Sequence, residues 1–423
     1  MKRKYSIGKF VIIAVLSAIL LCLTVFSFAL TGISSDSDFV GFARAINLGV
    51  EYVGGTVQEY SVNSNSSKNG NLQEGISGNV TRIKYLLSGS GYKTNVYQNS
   101  DNIVIELLDE YSPVEIQEQI NKKVDFAIKT EQSDTAEAVV TAQDIQSAYA
   151  TTSGSEKVLM MTFTKDGATN FAKVIEKGTA YFYFNSSYAF NLSVSNSNSQ
   201  YLGITMTSLD TASNYASQII SAKYDLTFDQ ISTSTFTKAD ANRNTITLIC
   251  LTVGLFVLCS AILIAMFKTL GLIGAFTLLI GVLLQIVLLQ AIPTNVFTLT
   301  GPAMLASLLC MLLGALSIYL FYDKMHKEYK MGKILPASVK FGYKKIWATI
   351  LDMYIILLVP SIITYFFGSY LVKQFAMALM AGLFVYMVTT IVLTLFFTKR
   401  FTYISFKNKD YGFKREAHIN ELK

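Results

Sequence analysis

The chain has 423 residues, of which 51% are hydrophobic and only 15% charged, with a formal net charge of +6. That length suits two or three domains. The charge is segregated along the chain and not clustered into a basic face, so nucleic acid is not expected as a partner.

The first apolar run, residues 10–30 ("FVIIAVLSAILLCLTVFSFAL"), contains no charge. It follows a basic flank, "MKRKYSIGK", such as a cleavable signal would have. The run is longer than a normal signal core and no A-x-A-like site closes it, so a retained membrane anchor is the expected reading. The next apolar blocks begin near Thr245. Five of them, about 246–267, 270–291, 298–322, 347–367 and 375–397, approach or exceed the roughly 20 residues a helix needs to span a bilayer. Six spans are therefore expected.

Between the first and second spans lies a polar region, 32–243, with 23 Asp+Glu against 15 Lys+Arg, a net of −8. The remainder carries net +14, in the N-terminus, the 323–346 loop and the basic tail 399–423. Six spans with an inside N-terminus place all of these on the cytoplasmic side, and the polar region outside. The basic loop also suits contact with anionic lipid. Cys22, Cys250, Cys259 and Cys310 all fall inside spans, so the outer region has no disulfide to make. Zinc spacing, a P-loop, a nucleophile elbow and a dinucleotide fingerprint are all missing; neither an enzyme of a familiar kind nor a cofactor or metal is expected.

The outer region reads as α+β. The stretch "NLGVEYVGGTVQEY" (47–60) alternates like a first strand, with Gly54 and Gly55 allowing a bulge or close approach. A polar linker, 61–71, precedes an amphipathic helix near 73–88, then the strands "YKTNVYQ" and "NIVIELL" around the turn "NSDN". A second helix, "SPVEIQEQINKK", starts with Ser112 as N-cap and Pro113 at its first position, and the strand "VDFAIKT" follows. Strand, helix, strand, strand, helix, strand is the order of a ferredoxin-like fold. That base is expected over 45–130 and 204–236, with an inserted lobe at 139–203. In the lobe, "VVTAQDIQSAYA" is expected to be helical, "KVLMMTFT" a strand, "KDGATNFAKVIEKG" a helix and "YFYFNSSYAFNLSVSN" a hairpin. Its aromatic residues suit a hairpin core, or else a surface for an extended polypeptide. "YLGITMT", a helix at 210–222 and the strand "YDLTFDQIST" return the chain to the membrane domain at 244–398.

One anchor, a large outer domain opening on L-G-x-[DE]-x-x-G-G, and five further spans resemble SecD, the auxiliary subunit of the bacterial Sec protein translocase and a member of the RND superfamily. Leu48, Gly49, Glu51, Gly54 and Gly55 carry the motif, with Glu51 in place of the more usual aspartate. "VVTAQDIQSA", "MTFTKDGATNFAKV", "TLTGPA", "FGYKKIWATILD" and "FGSYLVKQFAMALMAG" follow in the family's order. The resemblance implies export of unfolded polypeptides across the bacterial cytoplasmic membrane, with a SecF-like subunit, the SecYEG channel and the translocating chain as partners, alongside the lipid bilayer. An RND-like exporter of lipid or small solute, and a non-transporting scaffold of SecD shape, are the alternatives.

The departures concern protons. The resemblance implies an aspartate in the fourth span, yet its position is occupied by Gly314 or Leu316, and no acid lies between Gly301 and Tyr322. A buried acid in a bilayer costs about 2.5–3.5 kcal/mol, so one that is retained is a functional candidate. Asp352 is the only such residue well inside a span. It either bonds Lys344 or Lys345 near the interface, or has a proton-linked role. Asp323 and Lys324 are expected as interfacial anchors. Gln285 and Gln290 either bond between helices or face the outer interface. This subunit alone is not expected to carry a proton path.

Overall fold

The computed structural model describes residues 15–24, 26, 28–29, 38–39, 41–64, 72–108, 113–195, 197–224, 226–293 and 296–404. The chain divides into two units, one built from residues 1–53 and 239–423 and the other from 54–238. Among the described residues the first apolar helix, α1, covers Val15–Thr24. The expected span 10–30 is thus only partly described, and it does not continue as one helix, because β1 (Phe28–Ala29) pairs antiparallel with β2 (Asp38–Phe39). The amides of Phe42 and Ala43 take up the carbonyls of Leu23 and Thr24 in α1. A single turn, α2 (Val50–Val53), closes this first part of the helical unit.

The α+β unit begins with β3 (Gly55–Ser64), α3 (Leu72–Gly89), β4 (Thr94–Asn99), β5 (Asn102–Leu107) and α4 (Pro113–Ile120). The expected N-cap Ser112 lies outside the described residues. Ser61–Ser64, expected as linker, continue β3, because they find a partner strand far along the chain. That partner is not "VDFAIKT". The base sheet is completed by the last strand of the unit, Leu226–Phe236, which pairs with β3 along its whole length. Counting that strand as the fourth, the spatial order is fourth, first, third, second. This is a ferredoxin-like sheet whose final strand is delayed by the insertion. Ile103, Ile105 and Leu107 alternate inward from β5 and meet Tyr60, Ile76, Ile83, Leu87, Ile116 and Ile120 in a buried core.

The inserted chain forms two further sheets. β6 (Phe126–Lys129), β7 (Val140–Thr141), β10 (Thr179–Phe184) and β11 (Ser187–Ser193) make one; β8 (Ile145–Ser153), β9 (Glu156–Phe163) and β12 (Tyr201–Met206) make the other. The expectation that 45–130 and 204–236 form the base is therefore corrected at β6 and β12. Phe126 and Ile128 of β6 bury against the lobe's core, with the Phe126 and Phe184 rings 5.2 Å apart. The expected helix at 139–150 is also corrected. It is reduced to a one-turn 3₁₀ segment at Ala142–Asp144 between β7 and β8. Asp144 accepts from the amide of Thr141 at 2.8 Å and from Asn170 Nδ2 at 3.1 Å, which ties that turn to α5 (Lys165–Lys177). A Cβ on Gly167 would lie 2.1 Å from the Asp144 carbonyl oxygen, so the glycine in the first turn of α5 is a packing requirement. The β10–β11 hairpin turns on Asn185 and Ser186, at φ 50° and 61°, as a two-residue hairpin with positive φ at both positions requires. Its aromatic residues are core: Phe182 stacks on Phe190 at 4.7 Å, and Tyr215 of α6 (Leu209–Tyr224) covers Phe184 and Phe190. The strand Leu226–Phe236 is β13.

The helical unit resumes with α7 (Lys238–Phe267), α8 (Thr269–Ala291), α9 (Gly301–Lys330), α10 (Leu335–Phe367), α11 (Tyr370–Val388) and, after a π-helical segment at Thr389–Leu393, α12 (Thr394–Ile404). Among the described residues, five stretches, with 370–402 counted as one, are long and apolar enough to cross a membrane. The expected loop 323–346 is corrected: α9 runs on to Lys330 and α10 starts at Leu335, leaving a tight connection in which Gly332 has φ 92°. Glu328 explains the extension. It is 1% exposed and forms ion pairs with Lys333 and with Lys345, the latter at 2.6 Å, which pins the two helices together beyond the apolar part.

Inside the α+β unit, Arg82 of α3 is buried and donates to the carbonyls of Ile120 (2.6 Å) and Lys122 (3.5 Å). Burial lowers its pKa to about 10, which still leaves a cation at neutral pH, well placed for the negative end of α4. Arg82→Leu strands these carbonyls, and we expect a loss of about 1–3 kcal/mol. Thermal unfolding of the purified protein measures this as a lowered midpoint.

Candidate functional site

The L-G-x-E-x-x-G-G motif belongs mainly to the helical unit. Only Gly54 and Gly55 fall on the other side of the boundary. The expectation of a continuous strand from Asn47 is corrected, since Leu48 makes an isolated parallel bridge to Leu299 and the chain then coils into α2. Backbone bonds run from Leu299 N to Asn47 O (2.7 Å) and from Gly49 N to Leu299 O (3.0 Å). Asn47 Nδ2 donates to Thr298 Oγ1 at 2.9 Å. Glu51 Oε1 then accepts from the amide of Gly301, the first residue of α9, at 2.7 Å. A carboxylate there satisfies an orphan donor and meets the positive end of the helix dipole. Glu51 thus caps α9 from 250 residues away in sequence. Asn244 and Thr245 of α7 donate to the carbonyls of Glu51 and Tyr52. The Thr298 amide is bonded by Gln374 of α11 at 2.9 Å. The motif therefore joins α7 to α9, and the Thr298 segment beside it is held by α11.

Gly54 and Gly55 have φ of 93° and 140°, values closed to L side chains. The glycines are there to leave α2 and start β3 in one step, not to bulge a strand.

A second group of polar residues lies within the membrane-spanning helices. Tyr354 hydroxyl sits 3.1 Å from Ser317 Oγ and 3.5 Å from Thr390 Oγ1, all buried. Thr389 and Thr390 both bond back to the carbonyl of Tyr386, where the π-helical segment begins. The Tyr386 ring lodges over two glycines: a Cβ would lie 2.6 Å from it on Gly281 and 2.5 Å from it on Gly314. Of the two positions singled out in the fourth expected span, Leu316 is 44% exposed and faces outward, whereas Gly314 faces inward. The space an acid would need at Gly314 is filled by Tyr386. Serine, threonine and tyrosine hydroxyls keep their protons at neutral pH, so this cluster orients and bonds but does not exchange charge.

Of the remaining residues singled out from the sequence, Gln285 lines a cavity together with Leu48 and Tyr386; Asp352, Asp323 and Lys324 are placed elsewhere on α9 and α10. Asp352 is exposed on α10 and pairs with neither Lys344 nor Lys345; the latter is engaged by Glu328. Asp323 pairs with Lys327 at 2.7 Å, one helical turn on, and Lys324 is not its partner. Gln285 is buried, while Gln290 is only half-buried. The sequence reading missed Glu328, whose signal was a lone acid amid lysines, and Gln374, which carried none.

Five apolar helices with a ferredoxin-like base and an inserted lobe define a polytopic membrane protein of SecDF fold. A crystal structure of SecDF in a super-membrane-facing form matches with TM-score 0.62 at 16% identity, over 94% of this chain and 58% of that one. SecDF from Thermus thermophilus matches with TM-score 0.58 at 16% identity, over 95% of this chain and 59% of that one. Among curated proteins, SecD of Magnetococcus marinus is 30% identical over 128 residues, 30% of this chain and 24% of that one. SecD of Aquifex aeolicus is 30% identical over 126 residues, 30% of this chain and 25% of that one. The aligned part spans about a quarter of these relatives' length. No protein-family model matches the chain. The chain is a divergent SecD-like protein.

If the glycine pair is required by its backbone geometry, Gly55→Val strains a conformation by about 1–3 kcal/mol. Gly89→Ala, at a position with open space around it, is the control. We expect Gly55→Val to lower the yield of folded, membrane-extracted protein several-fold by size-exclusion chromatography, with Gly89→Ala unchanged.

Proposed function

We propose that the protein is an auxiliary subunit of a bacterial Sec translocase that assists export of unfolded polypeptides without a proton relay of its own. Likeness to SecDF over nearly the whole chain carries this reading, and the matched SecD sequences favour the SecD half. The partners this reading requires are a SecF-like subunit and the SecYEG channel, with the α+β unit meeting the emerging chain. Affinity purification from the native membrane tests it: recovery of a SecF-like protein with channel subunits is expected, and recovery of neither rejects the assignment.

The same reading places both termini in the cytoplasm and the α+β unit outside, in the cytoplasmic membrane, as the Lys/Arg asymmetry favours. A cysteine introduced at the exposed Ser155, in a background lacking Cys22, Cys250, Cys259 and Cys310, is expected to react with an impermeant maleimide added to intact spheroplasts. Reaction only after lysis would invert the topology.

Proton coupling is assigned to a partner, because the inward position Gly314 is closed by Tyr386 and Asp352 is exposed. Asp352→Asn is expected to leave gradient-dependent export within about twofold of the unsubstituted protein. A tenfold loss with assembly intact, equivalent to about 1.4 kcal/mol, would assign the coupling to Asp352.

A further inference from the structure

The turn between α9 and α10 carries more lysines than it pairs. Asp323 and Glu328 are the acids of residues 323–346, and they engage Lys327, Lys333 and Lys345. Lys340 and Lys344, both exposed, have no acidic partner among the described residues. They stand one turn apart on α10, and Trp347, 42% exposed, continues the same row. Asp352, also exposed, lies about 12 Å beyond Lys344 along the axis, out of ion-pair reach. The row is held in place from α9: a Cβ on Gly342 would lie 2.9 Å from the Met325 Cα, and Glu328 ties down Lys345. Beyond Asp352 the exposed face of α10 is apolar, with Ile355, Ile356, Val359 and Ile363.

We propose that Lys340, Lys344 and Trp347 hold the headgroup of an anionic phospholipid whose acyl chains lie along the apolar face of α10. Depth in the membrane selects lipid. Tryptophan favours the membrane–water interface. From Trp347 to Phe367, the end of α10, the helix rises about 30 Å, the thickness of a hydrocarbon core. Lys344 then lies about 4.5 Å outside that core and Lys340 about 10 Å outside it, where a lysine stem reaches the phosphate layer. Charge selects an anionic headgroup. Two ammonium groups and an indole N–H can only donate, and the oxygens of a phosphodiester accept. A neutral transmembrane helix brings no charge to meet the lysines. This chain supplies no acidic segment either: residues 1–14 hold four bases and no acid, and residues 405–423 five bases and three acids. The site is independent of the export role proposed above.

The test uses the full chain reconstituted in equal parts of phosphatidylglycerol and phosphatidylcholine, then extracted in mild detergent. Native mass spectrometry counts the lipids that stay bound. The unsubstituted protein is expected to retain phosphatidylglycerol several-fold over phosphatidylcholine. Lys340→Gln with Lys344→Gln should bring the two lipids to parity, and Lys340→Arg with Lys344→Arg should keep the preference. Lys173→Gln with Lys177→Gln, a pair of the same spacing on α5, should also keep it. Equal retention of both lipids by the unsubstituted protein would overturn the site, and this comparison stands even if a variant fails to assemble. A preference untouched by the glutamines at 340 and 344, or lost equally with those at 173 and 177, would overturn it too. So would loss of the bound phosphatidylglycerol to added poly-glutamate, which would give the face to an acidic polypeptide.

Discussion

The hydrogen bond from the Gly301 amide to the Glu51 carboxylate, 2.7 Å long, is the contact on which the end of the helical unit that holds the start of α9 depends. A long apolar helix has no side chain of its own to satisfy its first amides, and Thr300 makes no side-chain cap to α9. Glu51 supplies one from a distant segment. Because the carbonyls of Glu51 and Tyr52 are held in turn by Asn244 and Thr245, the same few residues fix where α7 stands against α9. An aspartate, one methylene shorter, is the more usual residue of the motif. Here α2 coils toward α9, and the longer side chain of Glu51 makes the reach.

Within the membrane-spanning part, ring shape and neutral hydroxyls hold the helices together. Glycines at 281 and 314 open a slot for an aromatic ring, and hydroxyls of Ser317, Tyr354 and Thr390 bond across α9, α10 and the π-helical segment. Such contacts average about 0.6 kcal/mol each, without the insertion cost of a carboxylate. The arrangement is suited to holding helices together. It offers no group whose charge changes near neutral pH.

Much of this was legible in the sequence. Length and hydropathy located the five long helices, and Lys/Arg asymmetry separated the polar region from the rest. The helix–strand order revealed the ferredoxin-like base. The failures have physical causes. "VDFAIKT" and "YDLTFDQIST" have equally strand-like patterns, and only tertiary pairing decides which one β3 accepts. "VVTAQDIQSAYA" has helical spacing and even a capping box of Thr141 with Asp144 to start a helix, but from Ile145 onward the chain is taken up by pairing with β9. The 323–346 segment looks like a loop by charge, yet the ion pairs of Glu328 hold α9 and α10 helical through it to the short connection at 331–334. The motif residues were recognised, but their roles were not: Glu51 and the glycine pair act through partners 250 residues away and through φ, neither of which a pattern records.

The delayed fourth strand of the base has a kinetic consequence. β3 is the inner strand beside β13, and their register joins Thr56 to Thr235 and Ser64 to Leu226. A ribosome adding 5–20 residues per second needs on the order of 10–30 s to deliver β13 after β3 has emerged. Throughout that interval one edge of β3 pairs with β5 while the other offers a row of unused amides and carbonyls. Such an edge recruits other chains. The polar residues along β3, Gln58, Glu59, Ser61 and Asn63, make it a poor template during the wait. The inserted lobe has its own core and its own two sheets, and it can fold in that time without drawing on the base.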